Sequence, residues 1–434
     1  MIGSGAHDEV AEICRDLIRI DTSNWGDGSG QGERAAAEYV AGRLGECGVR
    51  ATILESAPRR ANVLARIPGT DPTLPALLVH GHLDVVPATE DGWRFPPFSG
   101  EIADDCVWGR GAVDMKDMDA MILTVVRRWA RDGVRPRRDI VLAFVADEEA
   151  GGRYGSHWLV DNHPELFEGC AEAISEVGGF SVTLANEERL YMVETAQKGL
   201  AWLRLTARGP AGHGSMINDA NAVAALAQAL GRLTAHQWPV RLTPTVRQLL
   251  DGVADALGLD PGTPPDDIVR HLGPLARMVG ATLRNTVTPT MLDAGYKVNV
   301  VPATATAHVD GRFLPGHEEE FFATVDRLLG PGVERETVHH DIALETGFSG
   351  DLVSAMIGAL RTEDPAARVV PYCLSAGTDN KAFARLGMRG YGFVPLRLPQ
   401  DLDFSGMFHG VDERVPLPAL RFGARVLDRL LATY

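Results

Sequence analysis

A chain of 434 residues, 45% of them hydrophobic and 23% charged, is long enough for a large core and suggests two domains. Its 42 basic and 58 acidic side chains leave a formal net charge of −16. That balance excludes gripping a phosphate backbone as the main task, which needs a concentrated basic face, and it repels anionic membranes. The N-terminus shows no basic segment followed by an apolar core, and no apolar run approaches the roughly 20 residues that span a bilayer. Cys14, Cys47, Cys106, Cys170 and Cys373 are scattered without paired spacing. Such a set fits a reducing compartment and argues against a disulfide framework or a cysteine zinc site. The expectation is a cytoplasmic protein with neither nucleic-acid nor membrane partners.

Residues 8–19 place Val10, Ile13, Leu17 and Ile18 at helical spacing, so the chain opens with an amphipathic helix. A second helix is expected from Glu33 to about Cys47. Strand-like runs follow at Ala51–Leu54, Asn62–Ile67, Ala76–Val79, Ile140–Ala146 and Ala171–Ser175, several continuously apolar, as in strands buried on both faces. Helical segments lie between them near 117–131 and 154–161. The alternation predicts an α/β sandwich on a largely parallel sheet.

Near residue 198 the pattern changes. Leu200–Ala207 reads as a strand, 219–234 as an alanine-rich helix, Met291–Val298 and Ala303–Arg312 as strands, 318–329 as a helix and 333–341 as a strand. The order β-α-β-β-α-β is a ferredoxin-like α+β unit. A helical insertion, 236–285, sits inside it. From about 345 the α/β character resumes and ends in a helix over 417–432. The expected layout is a discontinuous α/β domain, 1–197 and 345–434, with an inserted domain, 198–344.

Three strings carry chemistry. Leu78-Val-His-Gly-His-Leu-Asp-Val-Val-Pro87 ends a buried strand on His80, His82 and Asp84. Residues two apart on an extended segment face the same way, so the Asp84 carboxylate can reach one nitrogen of His82 and fix its tautomer while the other faces a metal. In Trp108-Gly-Arg-Gly-Ala-Val-Asp-Met-Lys116, Asp114 sits where a turn precedes a helix. Alone it reads as a helix cap, but each of its oxygens can also take one cation. Ala143-Phe-Val-Ala-Asp-Glu-Glu-Ala150 ends another apolar strand on three consecutive carboxylates, costly to bury without cations. In a metal site one of them ligates and its neighbour serves a bound water as general base. Glu176 follows Ala171–Ile174, and His409 lies in Phe404-Ser-Gly-Met-Phe-His-Gly410. Carboxylates and imidazoles at strand ends suit zinc-type ligation.

These strings, in this order, together with Gly209-Pro-Ala-Gly-His-Gly-Ser215, resemble the co-catalytic zinc peptidase family that includes carboxypeptidase G, carboxypeptidase S, succinyl-diaminopimelate desuccinylase, acetylornithine deacetylase and aminoacylase. The resemblance runs from about residue 8 to 430. It implies two Zn²⁺ ions, with Co²⁺ or Mn²⁺ as substitutes, and a zinc-peptidase α/β domain carrying an inserted ferredoxin-like domain for lid closure and dimerisation. Asp114 would bridge both metals, His82 and Glu176 complete one site, and Glu149 and His409 the other. Glu148 would be the general base and Asp84 the partner behind His82. His213 would reach a partner subunit's active site to stabilise the oxyanion, and Arg312, in Val309-Asp-Gly-Arg312, is similar to the family's carboxylate clamp. Asn299 resembles a polar substrate contact, and Gly377-Thr378-Asp379 a loop lining the substrate pocket. The chain departs from the family pattern at Asp117, where Asp-Met-Lys is usually followed by glycine, and at Glu176, where some members carry aspartate.

The expected activity is hydrolysis of an amide bond beside a free carboxylate. A carboxypeptidase or dipeptidase would release a C-terminal amino acid, whereas an aminoacylase would cut an N-acyl amino acid. Val177–Ser181 and Tyr154–Ser156 resemble the carboxypeptidase S branch more than the desuccinylases. A scaffold that has lost catalysis is the reading from another class, and the complete set of candidate ligands and base argues against it. A homodimer is expected.

Overall fold

The computed structural model describes residues 8–434. Its centre is a ten-stranded mixed sheet. Four adjacent strands run parallel: Ile140–Val145, Ala76–His82, Cys170–Ser175 and Arg389–Gly392. Antiparallel Arg60–Ile67 and Ala51–Ala57 extend one side. On the other, Arg189–Gln197 pairs antiparallel with Arg389–Gly392, Phe180–Thr183 and Leu344–Glu345 and parallel with Arg368–Leu374. The sheet is therefore mixed, with parallel pairing in its middle and between Arg189–Gln197 and Arg368–Leu374, rather than largely parallel as expected. Short reversals, such as that between Ala57 and Arg60, leave no room for a crossover, so those strands pair antiparallel.

The parallel strands read as apolar runs because both of their faces are covered. Ile140, Leu142 and Phe144 point to a core shared with helices Glu9–Ile18, Lys116–Asp132, Asp351–Glu363 and Leu417–Thr433. Val141, Ala143 and Val145 point the other way, to Leu159 of helix Ser156–Asn162 and Phe383 of helix Asn380–Ala384. Alternation along one strand thus serves two cores.

A second sheet of four antiparallel strands has the order Thr286–Ala294, Thr304–Phe313, Gly199–Arg208, Val333–Asp341. Helices Ala222–Ala235 and Glu318–Leu329 pack on one face around Leu203, Leu226, Phe313 and Phe321. Among the described residues the other face carries no helix of its own, and Trp202 and Arg204 are exposed on it. The expected strand Met291–Val298 is displaced: it runs over Thr286–Ala294 and stops at Gly295, whose φ of +75° turns the chain away.

The segment 236–285 folds as helices Pro244–Leu257, Pro265–Arg270 and Ala276–Gly280. Its place in the sequence puts it within the inserted domain. Its buried Val246, Leu249, Val253, Val269 and Val279 instead join the core of the ten-stranded sheet. The packing is tight at Gly252, where a Cβ would lie 2.5 Å from Val370 Cγ1. The amphipathic pattern fixes which face is buried but not which sheet receives it.

Candidate metal centre

Three neighbouring parallel strands deliver acidic and imidazole groups to one edge. His82 ends its strand, Glu148 and Glu149 form a tight turn after Ile140–Val145, and Glu176 directly follows Cys170–Ser175. The carboxyl ends of parallel strands are where open α/β sheets place ligands. Asp114 arrives from just ahead of helix Lys116–Asp132, and His409 from the loop before the last helix.

His82 Nε2 stands 3.2 Å from Asp114 Oδ1 and 3.5 Å from Glu176 Oε2. His409 Nε2 stands 3.4 Å from the other Asp114 oxygen, Oδ2, and 3.2 Å from Glu149 Oε2. Each triad has its ligand atoms within 4.8 Å of one another, and Asp114 belongs to both. Donor atoms at about 2.0–2.2 Å from a zinc ion stand about 3.3–3.6 Å apart at tetrahedral corners, so the spacing fits two ions sharing one carboxylate.

The electrostatics ask for the same thing. Asp114, Glu148, Glu149 and Glu176 converge, and none makes an ion pair with Arg or Lys among the described residues. Burial, then the charge of Glu176, drives the Glu148 carboxyl well above its usual range. Burial and Asp114 raise Glu149 to about 7, and burial raises Glu176. Burial opposes charging His82, yet Glu176 and Asp114 outweigh it and pull the imidazole well above its ordinary value. Hydrogen bonds to Asp114 and Glu149 lift His409 to about 10. Crowded carboxylates that recruit protons onto the facing imidazoles are a site short of positive charge, which divalent cations supply.

A buried polar network sets this geometry. The sequence suggested that the Asp84 carboxylate holds His82. It is the Asp84 backbone carbonyl that accepts from His82 Nδ1, at 2.9 Å, while carboxylate Oδ1 lies 3.7 Å away. The carboxylate is occupied elsewhere, accepting the backbone N–H groups of Glu148 and Glu149 at 3.1 Å each and the Asn24 amide at 2.9 Å. Asp84 thus fixes the imidazole through its main chain and the Glu148–Glu149 turn through its side chain. Asn24 also donates to Asp147 at 3.0 Å and accepts from Arg60 at 2.8 Å, and Arg60 pairs with buried Glu33. On the far side, Glu413 accepts from Arg110 at 2.7 Å and from the Val113 N–H at 2.8 Å, while Arg110 also donates to the Gly410 carbonyl at 2.9 Å. Glu413 and Arg110 therefore clamp the Asp114 turn to the His409 loop. Asn24, Arg60, Glu33 and Glu413 escaped the sequence reading because each is a lone polar residue outside the strings. Burial of a polar or charged side chain is their only signal, and it exists only in the fold.

A cleft of about 170 Å³ opens beside the centre. Glu148, Glu149, Arg312, Gly377 and Thr378 line it. Arg312 donates to Asp310 from Nε at 2.7 Å and from an Nη nitrogen at 3.1 Å. Lys381, which the sequence reading also missed, lies in the same cleft 3.3 Å from Asp341. His213 and Asn299 are not brought there. His213 is exposed, pairs with Val300 in a two-stranded ribbon and bonds the Ser215 hydroxyl at 2.8 Å; the Asn299 carbonyl accepts from the Gly214 N–H at 2.9 Å.

The profile of Peptidase family M20/M25/M40 matches residues 78–433. This chain belongs to that family. It is similar to Aminoacylase-1 of Sus scrofa, 28% identical with 99% of this chain and 95% of the relative covered. It is also similar to a probable carboxypeptidase S-like 2 of Dictyostelium discoideum, 28% identical with 80% and 70% covered. Among solved structures, an M20 family metallo-carboxypeptidase from Sulfolobus solfataricus superposes with a TM-score of 0.75 at 18% identity over 98% of this chain and 99% of that one, which is a likeness of fold. The M20 chain is thus a metal-dependent hydrolase. Among its described residues no helix is long and apolar enough to cross a membrane.

Proposed function

We propose that this M20 enzyme cleaves an amide bond beside a free carboxylate, releasing the C-terminal amino acid of a small peptide. The observation that carries the reading is the single carboxylate of Asp114 shared by two ligand triads, with Glu148 beside them in a cleft that also holds Arg312.

His82, Glu176 and one oxygen of Asp114 would hold one zinc ion, and Glu149, His409 and the other oxygen the second. Cobalt or manganese suits the same donors. The ions, when bound, supply Lewis acidity for a water and for the amide oxygen. Glu148 takes the proton of the water as it adds to the carbonyl carbon and passes that proton to the departing nitrogen. Arg312 offers its planar fork to the substrate carboxylate, exchanging Asp310 for it. Gly377 and Thr378 line the pocket, whereas Asn299 lies outside it beside His213 and would make its polar substrate contact from the partner subunit. Asp84 acts by holding the His82 ring and the Glu148 turn in place.

The four-stranded sheet and its helices would form a lid and a dimerisation surface, with His213 of one subunit serving the oxyanion in the other. Exposed Met216, Ile217, Tyr296 and Val298 beside the His213 ribbon support this: an apolar surface of that kind asks for a partner. The free cysteines suit work in the cytoplasm.

The similarity to Aminoacylase-1 over nearly the whole chain favours a second reading, hydrolysis of N-acyl amino acids, which uses the same centre and clamp. Metal content by plasma mass spectrometry, alongside release assays on dipeptides and N-acyl amino acids, tests both. Two ions per chain and chelator-sensitive release are expected, and the better substrate class decides between the readings. A chain that stays metal-free and inactive after zinc is supplied defeats both and leaves a scaffold.

A further inference from the structure

We infer that Trp202, with the His339 ring against it, is the wall that reads the side chain of the released amino acid, so that the enzyme takes substrates with an aromatic or large apolar residue there. The inference rests on Glu148 and Arg312 acting as proposed above.

Strand Gly199–Arg208 alternates strictly. Ala201, Leu203, Leu205 and Ala207 fill the core of the four-stranded sheet, which forces Trp202 onto the bare face. Trp202 remains 43% exposed. Between Leu200 and Arg204 on that face, Trp202 takes no part in the small core. It lies in the metal-site cleft together with Glu148 and Arg312.

Register defines its place in the cleft. Trp202 pairs with Asp310 on one side and with His339 on the other, and Leu200, the next residue on the same face, pairs with Arg312. The indole is therefore one step along the sheet from the guanidinium. The His339 ring lies 5.1 Å from it, tilted by 45°. The same imidazole comes within 3.9 Å of where a Cβ on Gly151 would lie, in the turn that follows Glu149. Trp202 and His339 together span the cleft from the small sheet to the catalytic turn.

A substrate with its carboxylate on Arg312 and its scissile nitrogen at Glu148 has its α-carbon between them. A side chain branching from that carbon meets Trp202, Leu200 and His339. With Leu200, the indole forms the large apolar surface of a cleft whose other side chains are charged, polar or small. Aromatic stacking and apolar burial are therefore what this position offers a ligand.

The test compares wild type, Trp202→Ala and Trp202→Phe on N-acetyl and glycyl derivatives of Phe, Leu and Ala, with the acyl chain varied separately. Wild type should prefer Phe and Leu over Ala. In Trp202→Ala the ratio of kcat/KM for Phe over Ala should fall about tenfold, mainly through KM, and Trp202→Phe should restore most of it. An active Trp202→Ala enzyme with the wild-type ratio overturns the inference. So does a wild type indifferent to the released residue, or a Trp202→Ala enzyme altered only in acyl-chain preference. A zinc-loaded wild type that cleaves no member of the panel overturns the amide-hydrolase reading itself.

Discussion

The two walls of the cleft are built by opposite means. On the large-sheet side, His82, Asp84, Asp114, Glu176 and Asp147 are all buried, and their polar neighbours, from Asn24 to Glu413, are tied into hydrogen-bonded networks. On the small-sheet side, Arg312 leans on one aspartate of its own strand, and Trp202 stands partly in solvent. The buried wall suits chemistry, because ligand geometry tolerates little displacement and each unsatisfied charge there costs several kcal/mol, of the order of 3–5. The open wall suits recognition, because its residues can exchange partners when a substrate arrives.

That contrast predicts severe losses on one side and graded losses on the other. Asp114→Ala should remove the carboxylate common to both triads, taking both ions and all measurable turnover with it. Metal analysis of the folded variant checks this, and retention of two ions would mean the triads are not joined through Asp114. Glu148→Gln should keep both ions yet lower kcat by about 10²–10⁴-fold, as loss of a general base does. Wild-type kcat would remove Glu148 from its role. Asp84→Asn cannot accept both turn N–H groups, and a loss of about 10–100-fold in activity or metal affinity is expected, as for partners behind metal ligands. The recognition wall should respond differently. Arg312→Lys keeps the charge but loses the fork, so KM should rise about tenfold with kcat little changed. A fall confined to kcat would place Arg312 with the chemistry instead.

The same contrast governs how much was legible beforehand. His82 and Asp84 two apart at a strand end, Glu148 and Glu149 adjacent and Asp114 ahead of a helix are legible because each closes a local string, whereas Glu176 and His409 enter as ligands only with the family resemblance. The strand that makes the string also positions it. Trp202 and Lys381 carry no such mark, since the cleft collects one from a strand of the small sheet and the other from a short helix of the large domain. Even within a string, register limits inference. The spacing of His82 and Asp84 puts them on one side of the chain but leaves open whether carbonyl or carboxylate takes the Nδ1 proton, which the competing N–H groups of Glu148 and Glu149 decide. The small sheet's connectivity was readable because its strands and helices alternate in order. The helices of 236–285 were readable as helices and silent about their destination.

That destination is open to a direct check, with the smallest expected effect on turnover. Leu249 is fully buried on helix Pro244–Leu257, which begins with the Thr243 hydroxyl accepting the Val246 N–H and stops at left-handed Gly258. Deleting a buried leucine side chain costs about 2–5 kcal/mol, part of it from the cavity left behind. If the helix is a layer on the large sheet, that loss falls on its neighbour there, the strand Arg368–Leu374, and on Arg189–Gln197 paired to it. Leu249→Ala should therefore speed amide hydrogen exchange in these two strands and lower the melting temperature, while Gly199–Arg208 and Thr304–Phe313 keep their protection and kcat/KM stays near wild type. Exchange that rises only in the four-stranded sheet would return the segment to the small domain. Exchange that rises in both sheets would mean that the helix couples them, and that the recognition wall is less free of the chemical one than their separate cores imply.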